Sequence, residues 1–326
     1  MRSQGGFEDT ATAADPVPAM RVHLDTDFGG DPDDACALAL LLGWAGVEVV
    51  GITTTIDPGG RRAACVSHCL ELAGRGDIPL AAGAEVSMAT LRAAGPYLDE
   101  RYWPGTLTPQ PSPPGTALDL LQRSIEQGAT IVGIGPYTNL AHLEHAWPGS
   151  LGRVPVVVMG GWTQPPADGL PAWGPELDWN VQWDTRAAEL LATAGTQLTL
   201  VTLPATLKSH LRAADLPRLR ACGPLGELLA RQSEAHAQDR RTHLAAANEG
   251  LPDDLLNFHH DPVTCAVALG WPGAVVEEML LGGVLSDDVF RWLPDQTGQL
   301  TRVVVDLDGE SFSEAWLSAV EGAQRD

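Results

Sequence analysis

Lysine is almost absent. Lys208 is the only one in 326 residues, and 20 basic residues face 42 acidic ones for a net charge of −22. Affinity for nucleic acid comes largely from cationic side chains on phosphates, and anionic lipid surfaces make the same demand. The balance argues against DNA, RNA or a membrane surface as partner and suits a cation or a neutral small molecule. Apolar runs are short, none approaching the ~18 residues that a membrane span needs. Cysteine is scarce: Cys36, Cys65, Cys69, Cys222 and Cys265 make an odd count with no Cys-x-x-Cys. Cys65 and Cys69, four residues apart, share a helical face and read as small buried residues, not a metal site. This is the pattern of a reduced, cytoplasmic protein. Residues 1–20 lack the apolar segment of a signal peptide and are expected to form a disordered leader.

What is present is a regular alternation. Strands are expected at Arg21–Asp25, Val47–Thr54, Thr130–Ile134, Val154–Met159 and Gln197–Thr202, and helices at Asp33–Gly43, Arg61–Ala73, Thr116–Gln127, Thr138–Ala146 and Asp184–Ala194. The strands are apolar and β-branched throughout, as parallel strands buried on both faces must be. The fold class is therefore α/β, a Rossmann-like, mostly parallel sheet flanked by helices. The C-terminal third is more helical (Leu225–Ala247, Pro262–Leu269) and closes with strands near Ala274–Leu281 and Leu300–Leu307. One domain over residues 21–326 is expected, because the alternation resumes beyond both Pro/Gly-rich loops, Pro104–Gly115 and Gly160–Pro175. Loops of that length in a compact domain are often active-site lids.

Between the first strand and the first helix stands Asp25-Thr-Asp-Phe-Gly-Gly-Asp-Pro-Asp-Asp34, five carboxylates in ten residues. Crowded like charges raise one another's pKa, a cost that a hard dication such as Ca²⁺ removes with its six to eight oxygen ligands. The strand–loop–helix order puts the cluster at the carboxyl edge of the sheet, where open α/β folds bind ligands. Asp31-Pro32 reads as a helix cap followed by proline at the first helical position, which brings Asp33 and Asp34 into the first turn. An EF-hand loop starting at Asp25 fails, since its twelfth position is Cys36 rather than a bidentate Glu. A haloacid-dehalogenase-type phosphotransferase, with Asp25 as nucleophile, would have only Lys208 to hold the phosphate.

The acidic segment resembles the N-terminal signature of the inosine–uridine-preferring nucleoside hydrolases, D-T-D-x-G-x-D-D-A, with two extra residues before the final Asp-Asp. The resemblance continues in order through Gly51-Ile-Thr-Thr-Thr55, Asp77-Ile-Pro-Leu-Ala-Ala-Gly83, Gly135-Pro-Tyr-Thr-Asn-Leu-Ala141, Val157-Val-Met-Gly-Gly161, Asp178-Trp-Asn180 and His260-Asp-Pro262. It implies Ca²⁺-dependent hydrolysis of a ribonucleoside, or a related N-riboside, to free base and ribose. The implied metal ligands are Asp27, Asp34, Asp261 and the backbone carbonyl of Ile134, with Asp27 also the base for the attacking water. Asp33 would accept from a ribose hydroxyl, Met159 would pack beside the sugar, and His260 would protonate the leaving base. Asp25 would orient the loop from behind.

Asp178 and Asn180 match the family's Glu-Phe-Asn, which holds the sugar hydroxyls, with the acid one methylene shorter. A ribose asparagine after the Thr-Thr strand is replaced by Asp57-Pro-Gly-Gly60, where Asp57 is the expected substitute; a second falls on Ala172, and the lid His-Gly reads Tyr102-Trp-Pro-Gly105. Trp103, Trp162, Trp173 and Trp179 lie near these gaps, and Trp103 and Trp173 are expected to stack on the base. His236, His243 and His259 read as surface or helix residues. A homodimer or homotetramer is expected. The lost ribose contacts leave open an alternative, a metal-bound nucleoside- or sugar-binding protein without turnover.

Overall fold

The computed structural model describes residues 19–241 and 244–323. The expected leader thus lies outside the described residues except at its end, where Met20 opens the first strand, and His243 also lies outside them. Eleven strands occur among the described residues. They are β1 (Met20–Thr26), β2 (Val47–Thr54), β3 (Leu80–Ala82), β4 (Thr130–Gly133), β5 (Pro155–Met159), β6 (Gln197–Val201), β7 (His210–Arg212), β8 (Leu255–Phe258), β9 (Ala274–Ser286), β10 (Val289–Pro294) and β11 (Gln299–Leu307). The helices are α1 (Asp33–Gly43), α2 (Arg61–Leu72), α3 (Thr116–Glu126), α4 (Thr138–Ala146), α5 (Trp179–Trp183), α6 (Thr185–Leu191), α7 (Leu203–Thr206), α8 (Leu216–Ala221), α9 (Gly223–His236), α10 (Leu244–Ala247), α11 (His260–Ala268) and α12 (Gly309–Gly322). None is long and apolar enough to cross a membrane.

Nine strands form one sheet in the order β10-β9-β11-β6-β5-β4-β1-β2-β3. Every neighbouring pair from β11 to β3 is parallel, and only the β9 pairings are antiparallel. The chain runs outward from β1 to β3, then returns to β4 on the other side of β1 and continues to β6. The β1–β4 seam is therefore the topological switch point, where the loops leaving two adjacent strands diverge and open a crevice at their carboxyl ends.

Burial explains the composition of these elements. Val22, Leu24, Ile52, Val132 and Val158 are fully or almost fully enclosed, since helices cover both faces of the sheet. Residues Asp33 to Leu41 of α1 are all buried, because α11 and α12 pack over the side turned away from the sheet. Trp316 of α12 donates its indole N–H to the Cys36 carbonyl at 3.0 Å. The helix spans its expected residues, but Pro32 and not Asp31 occupies the cap position, and Asp31 Oδ1 accepts from the Asp33 N–H at 2.9 Å.

Three features depart from the sequence expectation. The helix expected over Leu225–Ala247 ends at His236 and gives way to a π-helical turn, Ala237–Arg241. Strand β9 runs on to Ser286 and pairs with β10 through Asp287-Asp288, both at positive φ (54° and 60°). That is the primed hairpin turn, made without the Asn-Gly or Asp-Gly that usually announces it. Helix α12, capped by Asp308 on the Ser311 N–H, buries Phe312, Trp316, Leu317 and Val320 against α1 and α8.

His259 precedes α11 and is enclosed by the rings of Phe312 and Trp316, at 5.6 and 4.5 Å. It is 1% exposed, correcting the surface reading, and burial holds its pKa down at about 3. The folded state thus refuses a proton that the unfolded chain accepts near pH 6.5, so stability falls as pH drops below that value until about pH 3. The slope from this one group approaches roughly 1.4 kcal/mol per pH unit. His259→Phe should flatten the pH dependence between 6.5 and 4, read as urea midpoints against the wild type; parallel curves would refute it.

Candidate active site

Five segments deliver side chains to one cavity of about 660 Å³ at the switch point. The loop after β1 brings Asp27, Asp31, Asp33 and Asp34; the residue after β4 is Ile134; β5 ends in Met159; α5 begins with Trp179 and Asn180; and α11 begins with His260 and Asp261. The acidic floor is tied together by its own hydrogen bonds. Asp33 Oδ2 accepts from the Asp261 N–H at 3.0 Å, joining residues 228 positions apart, and the Thr26 hydroxyl donates to Asp34. Asn180 donates its amide to the carbonyls of Ile134 (3.1 Å) and Met159 (3.2 Å). The Ile134 carbonyl retains a second lone pair, whereas that of Met159 also accepts from the Tyr137 hydroxyl at 2.9 Å. Asp27 Oδ2 accepts from the Trp179 indole at 2.9 Å and stands 4.0 Å from Arg62. Gly135 is required by close approach: a Cβ there would lie 2.6 Å from the Asp27 nitrogen and 2.9 Å from its Oδ1.

The electrostatics follow from burial. Removal from water pushes the pKa of Asp27 up, while Arg62 and the Trp179 N–H work in the opposite direction. Asp34 is raised well above the usual carboxylate range by burial and then by Asp27; Asp261 is raised similarly, by burial and then by Asp33 and Asp34. Behind them Asp25, fully enclosed, is pushed up to about 7 by burial. It accepts from Thr53 (2.5 Å) and Asn139 (2.7 Å) and does not line the cavity, as expected of a residue that supports the loop.

Of the residues expected at the site, Asp27, Asp33, Asp34, Ile134, Met159, Trp173, Asn180, His260 and Asp261 all line the cavity. Asp57, Asp178 and Trp103 do not. Asp57 is consumed by its own turn: its oxygens accept from the Arg62 and Ala63 N–H groups and from the Thr54 hydroxyl, which anchors the start of α2. Asp178 caps α5, accepting from Val181 N–H (3.2 Å) and Gly161 N–H (2.6 Å), and burial raises its pKa to about 6. The shorter side chain stays with the backbone instead of reaching toward a sugar. Trp103 is 1% exposed beneath the site, packed on Phe28 and His68, because a ring of that size is better enclosed than held at a loop tip.

Other cavity residues were not singled out from sequence. Arg62 is 2% exposed and donates to the carbonyls of Ile56 (3.0 Å), Phe28 (2.9 Å) and Ala94 (2.6 Å), pinning the acidic loop to the wall opposite. Tyr97, Leu177, Leu203, Leu244 and His236 complete the mouth. His236 is 4% exposed, not a surface residue. A signal for it existed: Leu225, Leu228, Leu229, Gln232 and His236 continue one buried stripe along α9 at helical spacing.

His260 is oriented from behind. The Thr206 hydroxyl lies 2.9 Å from the Leu203 carbonyl and 2.7 Å from His260 Nδ1; with its proton given to that carbonyl, Nδ1–H is the donor in the histidine pair. The neutral ring then carries its lone pair on Nε2 and can act as an acid only as the cation. Lys208 pairs with Asp306 at a separate cleft, which leaves the phosphotransferase reading without a lysine at this cavity.

An acidic floor beneath an aromatic mouth, at the switch point of a parallel sheet, defines a glycosidase-type enzyme. Residues 22–314 match the model of the inosine-uridine preferring nucleoside hydrolases, and the chain belongs to that family: it is a nucleoside hydrolase. Pyrimidine-specific ribonucleoside hydrolase RihA of Salmonella agona is 30% identical over 318 residues, covering 90% of this chain and 96% of the relative. RihA of Salmonella paratyphi C is 33% identical with the same coverage. A plant nucleoside hydrolase, PpNRh1, shares the fold with a TM-score of 0.77 at 23% identity, over 93% of this chain and 99% of that one. A purine-preferring ribonucleoside hydrolase from Gardnerella vaginalis does so at 0.75 and 20% identity, over 94% and 99%.

Proposed function

We propose that this nucleoside hydrolase cleaves ribonucleosides, or a closely related N-riboside, to base and ribose with Ca²⁺ held by Asp27, Asp34, Asp261 and the Ile134 carbonyl. The observation that carries the reading is the convergence on one cavity of Asp27, Asp33, Asp34 and Asp261, faced, among the described residues, by a single guanidinium, that of Arg62. Among the described residues no three acidic, His or Cys side chains already stand as a closed metal site. The donor chemistry nevertheless fits a hard cation, since every candidate ligand is oxygen and the crowded carboxylates carry raised pKa values. When bound, the ion would lower the pKa of the attacking water and relieve the repulsion.

The protein's own groups account for the remaining chemistry. Asp27 takes the proton from the water. Cleavage of an N-glycosidic bond passes through an oxocarbenium-like state, as in glycoside hydrolysis. The anionic floor stabilises the positive charge that develops on the sugar only in that state. Asn180 and Asp33 hold the sugar, Met159 packs beneath it, and Trp173 and Trp179 face the base. His260, as the cation, donates a proton to the leaving base. Five free, buried cysteines support a reducing, cytoplasmic setting. The exposed Leu280, Val284, Leu293 and Leu300 of the sheet edge support self-association as a homodimer or homotetramer.

Release of reducing sugar from a panel of purine and pyrimidine nucleosides, with Ca²⁺ supplied, tests the activity; silence across the panel would refute it. Ca²⁺ should raise the wild-type Tm by mass action, by about 2.7 kcal/mol of stability at a hundredfold excess over Kd. Asp34→Ala and Asp261→Ala should each lose that rise and the bound ion, and stoichiometric Ca²⁺ in either variant would overturn the ligand assignment. His260→Ala should slow hydrolysis of ordinary nucleosides by about 10²-fold or more while sparing a p-nitrophenyl riboside, whose departure needs no proton. Equal losses on both substrates would make His260 a packing residue.

A further inference from the structure

We infer that Trp179 is a positioning residue for Asp27, fixing the carboxylate through its indole N–H. Trp179 is the first residue of α5, and the Asp178 cap immediately before it sets the start of the helix. Its ring stacks on Trp183, one helical turn on, with centroids 4.4 Å apart and planes 27° from parallel. The stack turns the indole edge inward, and Nε1 donates to Asp27 Oδ2 at 2.9 Å across 152 residues of sequence.

Burial does not force this bond. Trp179 is 49% exposed, and an exposed indole N–H is satisfied equally well by water. Its selection of a carboxylate oxygen places a neutral, directional donor on the proposed base. The Arg62 guanidinium stands farther off at 4.0 Å and is already engaged with three carbonyls. On the other side Asp27 packs so closely on Gly135 that no Cβ would fit there. With Oδ2 held by Trp179, rotation of the carboxylate is restricted and the orientation of Oδ1 follows. The family motif reads Glu-Phe-Asn where this chain has Asp178-Trp-Asn180. Phenylalanine offers the ring without the donor, so Trp179→Phe removes the contact selectively.

The inference rests on Asp27 as the water-activating base, and its test separates the two claims. In the full-length protein labelled at the tryptophan indoles with ¹⁵N, Trp179→Phe identifies one N–H resonance by its loss. Asp27→Asn, which replaces an anionic acceptor with a neutral one, should shift that same resonance; an unmoved signal overturns the inference whatever the activity. In steady-state hydrolysis of uridine and inosine with Ca²⁺ present, Trp179→Phe should lower kcat about tenfold, the scale of one hydrogen bond to a charged group, with KM within about twofold. An unchanged kcat, or a loss confined to KM, would make Trp179 only a wall of the substrate site and overturn the positioning role. If the wild type turns over neither nucleoside, the kinetics are repeated on whichever nucleoside of the panel it does hydrolyse; silence across that panel sinks the hydrolase reading, and the Asp27→Asn shift still decides the contact.

Discussion

Burying like charge at the β1–β4 seam is the constraint on which the rest of the site depends. Asp27, Asp33, Asp34 and Asp261 are withdrawn from water around one cavity, and both desolvation and neighbouring carboxylates raise the cost of ionising Asp27, Asp34 and Asp261. The surroundings answer this in kind. The N-termini of α1 and α11 meet there, so partial positive charge from two helices faces the carboxylates. A backbone N–H of α11 donates to Asp33, and the Arg62 guanidinium is anchored by three carbonyls beside Asp27. A parallel sheet is suited to the task, because its strands place these loops at one edge while the helices enclose both faces.

The fold was legible because the constraint is written locally. Strands buried on both faces show as unbroken apolar runs, and the elements α1, β2 and α4 fall on their expected residues. The carboxylates of the floor were legible for the same reason, since five in ten residues can be explained only by a shared purpose. What escaped notice depended on tertiary contacts or on unusual turn chemistry. The β9–β10 hairpin turns through two aspartates at positive φ, a conformation that Asp tolerates but does not signal strongly. Arg62 looks in sequence like a helix-surface residue, and only its three carbonyl partners from distant segments reveal it as part of the wall.

Asp57 and Arg62 show how a motif position can keep its place while its contribution moves. The turn after β2 was expected to present Asp57 to the sugar in place of a missing asparagine. Instead the carboxylate closes the turn on the N–H groups of Arg62 and Ala63, and the residue presented to the cavity is Arg62. A carboxylate within reach of two orphan N–H groups at a helix start binds them in preference to projecting into an already acidic cavity. Asp178 behaves in the same way at α5: losing a methylene relative to glutamate leaves it on the backbone as a cap. Of the polar residues expected at the sugar, Asn180 and Asp33 thus line the cavity with the rest of the floor, and Asp57 and Asp178 do not.

The cavity also divides by depth. Its floor is built from strand ends and helix N-termini, where positions are fixed by the sheet register and by hydrogen bonds from α11 to α1. Much of its mouth is built from loops and short turns: Tyr97, Trp173 and Leu177 lie outside the major elements, and His236 and Leu244 flank the π-helical turn. Loop-borne residues vary without disturbing the core, whereas a change in the floor disturbs both the charge balance and the packing of α1. Under the proposed function, base preference would accordingly reside in the mouth and bond cleavage in the floor. In this chain the mouth is aromatic and imidazole-rich and the floor anionic, so on the proposed reading the leaving base would meet ring faces and the ribose negative charge.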